Sequence, residues 1–346
     1  MPIRSLWTPV AAGLVFAACR PAPPAPPART SGAPQPAAVE QPPAKPPADV
    51  SHGEAPVGLD SIPAPVDPRA PARSTQRLHR VRLVITHGNI TIAKGVKYYA
   101  WTFDGRVPGP FLRVTQGDTI DFTLVNNGPQ PHSMDFHAAE IAPSRYYVNV
   151  NPGDSLHYRF TARVPGVFMY HCGTAPVAMH IANGMYGAII VDPPMPRPPA
   201  KEFVLVQSEF YLTPDDGKGG ARSLDWQKLL GQAPDNVVFN GRVAQYAEHP
   251  IGVKPGELLR LYVVNAGPNR ISSFHVVGGI FEKVFEDASL TNPLRGVQTV
   301  NVPVGGGAIF EIRLREPGDY PFVTHAFADA TKGAVGVFRA GNAASP

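Results

Sequence analysis

An all-β fold is predicted for most of this 346-residue chain, on three observations. After residue 75 the sequence runs in short β-branched and aromatic stretches separated by Gly, Pro and Asn, with no sustained 3.6-residue periodicity. One strand-and-turn pattern occurs twice: VTQGDTIDFTLVNNGP at 114–129 and VKPGELLRLYVVNAGP at 253–268 share a Gly position, apolar alternation and a closing Asn-X-Gly-Pro. The second half of each copy agrees too, ARVPGVFMYHC at 162–172 with LREPGDYPFVTHA at 314–326, and NGMYGAIIV at 183–191 with KGAVGVFRA at 332–340. Two homologous β-domains are therefore expected, at about 76–195 and 200–341, behind a leader at 1–19 and an unstructured segment at 20–75.

The leader, MPIRSLWTPVAAGLVFAAC, carries Arg4, an apolar stretch from Leu6 to Ala18 and then Cys19, which is the layout of an export signal. Ala17 and Ala18 before Cys19 resemble a bacterial lipoprotein processing site, with Phe16 where such sites usually carry Leu. Acylation at Cys19 and a membrane lipid anchor are expected, making the mature protein a periplasmic or outer-membrane-anchored lipoprotein; the alternative is a plain cleaved signal. From Arg20 the chain is dominated by Pro and Ala, a composition unable to bury enough apolar surface to order itself, and it is expected to act as a semi-extended tether. No other stretch approaches the roughly 20 apolar residues that cross a bilayer. The formal charge of +4 is spread without Lys/Arg runs, so nucleic acid is not an expected partner.

In the first domain, Cys172 stands beside His171, with His180 and Met185 just downstream. A lone Cys is more often a small buried hydrophobe. Here its neighbours argue otherwise, because a soft thiolate, two imidazoles and a weak axial thioether make a mononuclear blue-copper site. His132, in QPHSMDFH after the NNGP turn, is the candidate upstream imidazole. Successive side chains of an extended segment point to opposite faces, so Cys172 facing inward turns His171 outward. The same parity separates His132 from His137 and places Asp135 with His137. The outward set has two imidazoles and needs a third, for which the second domain offers His325, with His275 nearby. A metal at a domain or subunit junction follows, with an open position for a small ligand. In the second copy Ala326 follows His325 where Cys172 follows His171, so only the first domain has the thiolate. The adjacency of His171 and Cys172 gives single electrons a short covalent route between the two metals. His52, His79, His87, His157 and His249 show no such pattern and are expected to be ordinary tether or surface residues.

PHSMDFHAA, YHCGTAPVAMHIANGMYGAIIV, SSFHVVGG and PGDYPFVTHAF together resemble the copper-containing nitrite reductases built from two cupredoxin domains, in particular the lipoprotein-anchored group with a shorter Cys-to-His loop. The resemblance implies tandem cupredoxin-like Greek-key barrels and one type 1 and one type 2 copper per subunit. It makes His132, Cys172, His180 and Met185 the type 1 ligands, and His137, His171 and His325 the type 2 ligands. His325 would come from the neighbouring subunit of a homotrimer. Asp135 and His275 match the acid/base pair above the type 2 copper, and Val277 the residue shaping the substrate pocket. The implied reaction is one-electron reduction of nitrite to nitric oxide and water, fed by a small cupredoxin or c-type cytochrome.

Two departures from the family pattern stand out. The segment at 138–154, AAEIAPSRYYVNVNPGD, is aromatic where relatives are Gly-rich, which alters the expected channel wall or donor surface. Gly307 stands where relatives usually carry a hydroxyl that orients the catalytic histidine, which loosens the expected pose of His275. Three other readings compete. A multicopper oxidase needs His-X-His pairs, and the sequence contains none. A non-enzymatic electron carrier or copper-binding protein explains His132, Cys172, His180 and Met185 alone. A structural β-protein must produce every one of these positions by chance.

Overall fold

The computed structural model describes residues 64–341; the leader, Cys19, His52 and the tether up to residue 63 lie outside the described residues. Eight strands come first in chain order: β1 (Leu78–Ala93), β2 (Val96–Phe103), β3 (Leu112–Thr115), β4 (Thr119–Asn126), β5 (Asp135–Phe136), β6 (Ser155–Thr161), β7 (Gly166–His171) and β8 (Tyr186–Asp192). Ten more follow: β9 (Lys201–Phe210), β10 (Asn236–Phe239), β11 (His249–Val253), β12 (Leu258–Gly267), β13 (Ser272–Val276), β14 (Lys283–Glu286), β15 (Thr299–Val302), β16 (Gly307–Arg313), β17 (Gly318–Thr324) and β18 (Val335–Ala340).

The sequence repeat reappears as topology. The first set forms two facing sheets in the orders β2-β1-β4-β6 and β3-β8-β7-β5. The second set forms β10-β9-β12-β16-β14 and β11-β18-β17-β13-β15, the same plan with β14 and β15 added at the edges. Each sandwich closes over its own aromatic core. Phe122, Phe136, Tyr158, Phe160 and Tyr170 fill the first, and Phe274, Phe281, Phe310, Phe322 and Phe338 fill the second.

A third apolar cluster joins the two, with Met169, Tyr186, Ala188 and Ile190 of the first against Val204, Val206, Tyr262 and Val264 of the second. All seven residues of β8 are consequently buried, because one face lines the first core and the other meets the second sandwich. That double coverage is why β8 reads as a continuous apolar run instead of alternating. Arg113 crosses the junction to Glu202 at 2.6 Å, and Arg260 of the second sandwich holds the same carboxylate at 2.8 Å. Buried charges are tolerated when paired in this way.

The repeated Asn-X-Gly-Pro does one job twice. Asn126 accepts from the Gly128 N–H and donates to the Gln130 and Val150 carbonyls. Asn265 accepts from the Gly267 N–H and donates to the Arg270 and Val302 carbonyls. Each side chain therefore ties down the loop leading into β5 or β13, the segments that carry His132, His137 and His275.

The unstructured segment predicted at 20–75 needs correcting at its C-terminal end. Residues 64–73 lie against the folded part: the Val204 N–H donates to the Pro68 carbonyl at 2.7 Å and the Ala70 N–H to the Glu202 carbonyl at 3.1 Å. The Tyr246 hydroxyl donates to the Val66 carbonyl at 2.8 Å. The physical reason is an open edge. β10 pairs only with Gln207–Phe210 of β9, which leaves the first half of β9 unpaired on that side. A Pro-rich strand with few N–H groups still offers carbonyls to such an edge.

Candidate metal centres

Two donor clusters lie on opposite sides of the His171–Cys172 peptide. In the first, Cys172 Sγ is 3.2 Å from His180 Nδ1 and 3.7 Å from His132 Nδ1, and the two Nδ1 atoms are 3.1 Å apart. All three residues are buried. Met185 is fully buried in the same apolar cluster as Cys172, and its carbonyl accepts the Cys172 N–H at 3.1 Å. The short helix Val177–Ala182 delivers His180, while a bridge between His132 and Val150 sets the upstream imidazole.

Burial drives the electrostatics of this set. It lowers His132 to about 2 and His180 to about 4, with His180 and then His87 adding to the effect on His132. The Cys172 thiol is pushed up by burial, partly offset by the Ser133 N–H that donates to Sγ at 3.3 Å. Ser133 also receives the Gly173 N–H at 3.1 Å and the Thr174 hydroxyl at 3.2 Å, fixing the backbone that carries the sulfur. Two neutral imidazoles with their Nδ1 atoms aimed at one point, plus a thiol that is hard to ionise alone, form a donor set whose deprotonated form fits a soft cation. Copper matches that chemistry.

The second cluster holds Asp135, His137 and His171, whose donor atoms lie within 4.8 Å of one another. The two Nε2 atoms are 3.1 Å apart, and Asp135 Oδ2 is 3.7 Å from His171 Nε2 and 4.0 Å from His137 Nε2. His171 Nδ1–H donates to the Cys172 carbonyl at 2.9 Å, which leaves the Nε2 lone pair facing His137. Burial lowers the His171 pKa. Cys172 thus contributes its sulfur to one cluster and its carbonyl to the other. An imidazole pair with an adjacent carboxylate also fits a divalent ion such as copper.

His275 and His325 are not in that group. They form a pair of their own on the second sandwich, ring centroids 5.3 Å apart. Strand register shows what this pair is. Phe136 faces Tyr170 across β5 and β7 as Phe274 faces Thr324 across β13 and β17. His137 and His275 each follow these Phe residues, and His171 and His325 follow Tyr170 and Thr324. The two pairs occupy matching positions, with centroid separations of 5.1 and 5.3 Å. His275 Nδ1–H donates to the Gln298 carbonyl at 2.8 Å, with Thr299 Oγ1 at 3.3 Å. Val277, two residues on, is 44% exposed.

Several expectations change. Gly307 has no room for a hydroxyl-bearing side chain, since a Cβ there would sit 2.4 Å from the Val167 carbonyl oxygen; the hydroxyl beside His275 belongs to Thr299. The aromatic segment at 138–154 forms a short helix, Pro143–Tyr146, and lays the Tyr147 ring on Gly173, where a Cβ would come within 1.9 Å of it. The Tyr147 phenol is raised by burial, with Asp135 and Cys172 adding to it. His87, expected at the surface, is instead stacked on Trp101 at 5.0 Å and placed with Nε2 2.9 Å from His132 Nε2. Sequence reasoning missed it because His87 and Trp101 meet only through the β1–β2 register. His79 pairs with Asp118 and His157 with Asp121, and neither belongs to a cluster.

Comparison with known proteins agrees with this geometry. A family model described as "Multicopper oxidase" matches residues 84–196. The copper-containing nitrite reductase of Neisseria meningitidis serogroup B is 42% identical over 303 residues, covering 85% of this chain and 77% of that protein. The solved copper nitrite reductase of Nitrosomonas europaea superposes with a TM-score of 0.71 at 40% identity, over 78% of this chain and 96% of that one. The solved copper-containing nitrite reductase of Thermus scotoductus SA-01 also gives 0.71, at 34% identity over 78% of this chain and 63% of that one.

Proposed function

The chain belongs to the copper-containing nitrite reductases, and from that premise we propose how its two donor clusters divide the reduction of nitrite to nitric oxide and water. His132, Cys172, His180 and Met185, in a first cupredoxin domain at 76–195, hold a type 1 copper. His137 and His171 hold a type 2 copper together with His325 from the second domain, 200–341, of a neighbouring subunit. Bound copper supplies one-electron transfer at the first set and, at the second, a Lewis-acid position for a nitrite oxygen.

The remaining chemistry belongs to the chain. Nitrite, two protons and one electron give nitric oxide and water, so two proton deliveries are needed. Asp135, within 4.0 Å of both cluster imidazoles, is placed to hydrogen-bond a nitrite oxygen and pass it a proton. His275, held by its Nδ1–H bond to the Gln298 carbonyl, would deliver the second from Nε2 as the imidazolium. Completion across a subunit boundary is supported by the surroundings of His275 and His325: Ile271, Val277 and Phe327 are 51%, 44% and 57% exposed, an apolar rim suited to burial against another copy. A cyclic homotrimer satisfies every such site at once.

Export, acylation of Cys19 and donation by a small cupredoxin or c-type cytochrome complete the proposal. The observation that carries it is the pair of clusters built on consecutive residues, His171 and Cys172, with the second cluster one imidazole short. An electron carrier needs only the first cluster and leaves Asp135, His137 and His171 unexplained. Copper counting and a nitric oxide assay with nitrite and a chemical reductant test the reading. Two copper ions per chain and gas evolution are expected; one copper per chain and no gas favours the electron carrier.

A further inference from the structure

We infer that His87 is a positioning residue for the type 1 copper, acting as the hydrogen-bond acceptor that fixes His132. The inference rests on the assignment of His132 as a type 1 ligand. His132 turns Nδ1 toward Cys172 Sγ and His180, so its Nε2 carries the ring proton. That N–H points at His87 Nε2, 2.9 Å away. His87 is therefore the neutral tautomer protonated on Nδ1, with its Nε2 lone pair accepting.

The acceptor is held in place on every side. Its ring stacks on Trp101, its cross-strand partner from β2, with an interplanar angle of 10°, and meets Tyr99 edge-on at 6.2 Å. Trp101 in turn stands edge-on to His180 at 4.9 Å and to His132 at 5.7 Å, so one indole supports both imidazole ligands and the acceptor. Gly128 completes the fit, because a Cβ at that position would lie 3.0 Å from His87 Nε2 and 3.2 Å from His132 Nε2. The closing glycine of the NNGP turn is thereby explained by the close approach of two imidazoles.

The two ligand histidines differ as a result. Among the described residues no hydrogen bond involves His180 Nε2, whereas His132 Nε2–H donates one to a second imidazole. An acceptor on the remote N–H raises the ligand's basicity and orients its ring. Greater basicity stabilises the oxidised metal, so His87 lowers the type 1 reduction potential.

Redox titration of the type 1 absorption band tests this in the copper-loaded full-length protein. His87→Phe keeps the stack on Trp101 and removes the acceptor; it is expected to shift the type 1 reduction equilibrium about 10-fold toward the reduced form, about 59 mV more positive for one electron. His87→Gln restores an acceptor and is expected to recover most of the shift. Equal potentials in wild type, His87→Phe and His87→Gln overturn the inference. An unmodified protein with no type 1 band instead overturns the copper assignment beneath it. If His87→Phe does not fold, pulsed EPR of the unmodified protein decides: two distinct remote-nitrogen couplings are expected for His132 and His180, and a single common coupling contradicts the inference.

Discussion

The two sandwiches carry the same histidine pair on the same strands, and what differs is the company each pair keeps. His137 and His171 converge, Nε2 to Nε2, beside the Asp135 carboxylate. His275 and His325 sit at matching positions, but Ser273 stands where Asp135 does and Ala326 where Cys172 does. The first pair has a buried His171, a carboxylate and a covalent link to a thiol; the other has an exposed His325 and an apolar rim. Duplication supplied two half-sites, and neighbouring side chains decided which half gathers donors and which half is offered to another copy.

The hardest blow to the comparison is to make the first sandwich like the second. Cys172→Ala should abolish the type 1 absorption and lower reductant-driven nitric oxide release by more than the roughly 10- to 100-fold typical of lost outer-shell partners. Retained colour would mean that the sulfur is not a ligand. Asp135→Ser copies the second pair's neighbour and should cost about 10²- to 10⁴-fold in kcat while the type 1 spectrum stays unchanged, as rate and absorption measurements will show.

Acid sharpens the contrast by another route. His132, His180 and His87 have folded-state values below the unfolded value of about 6.5, so the unfolded chain binds more protons as pH falls. The copper-free protein should lose stability progressively between about pH 6.5 and about pH 2 in thermal melts, and copper loading should move that loss to lower pH. Next come the paired turn residues: Asn126→Ala and Asn265→Ala should each cost about 1–3 kcal/mol in denaturant unfolding, since each strands buried partners. Only Asn126→Ala should also perturb the type 1 spectrum. The smallest effect is expected at Thr299→Val, where losing one hydroxyl beside His275 should slow turnover about 2- to 10-fold, as steady-state kinetics with nitrite will report.

Much of this was legible in the sequence because ligand types, their offsets and the doubled Asn-X-Gly-Pro are local. His132, Cys172 and His180 needed only parity and loop spacing to be grouped. Three features were not legible. His87 reaches His132 through the register of β1 against β2, a pairing between residues that no local motif marks. Tyr147 reaches Gly173 because a short helix turns the chain back over it. Residues 64–73 read as tether by composition, yet an open stretch of β9 gives their carbonyls donors.

The central claim is that one chain's His137 and His171 are completed by another chain's His325, and a mixing experiment tests it most directly. His137→Ala and His325→Ala should each be inactive alone. Dissociated, mixed in equal amounts and reassembled, they should regain activity at about a quarter of the sites, because some interfaces then join an intact His137 to an intact His325. Mixed oligomers, verified by mass, that stay as inactive as either parent would contradict it.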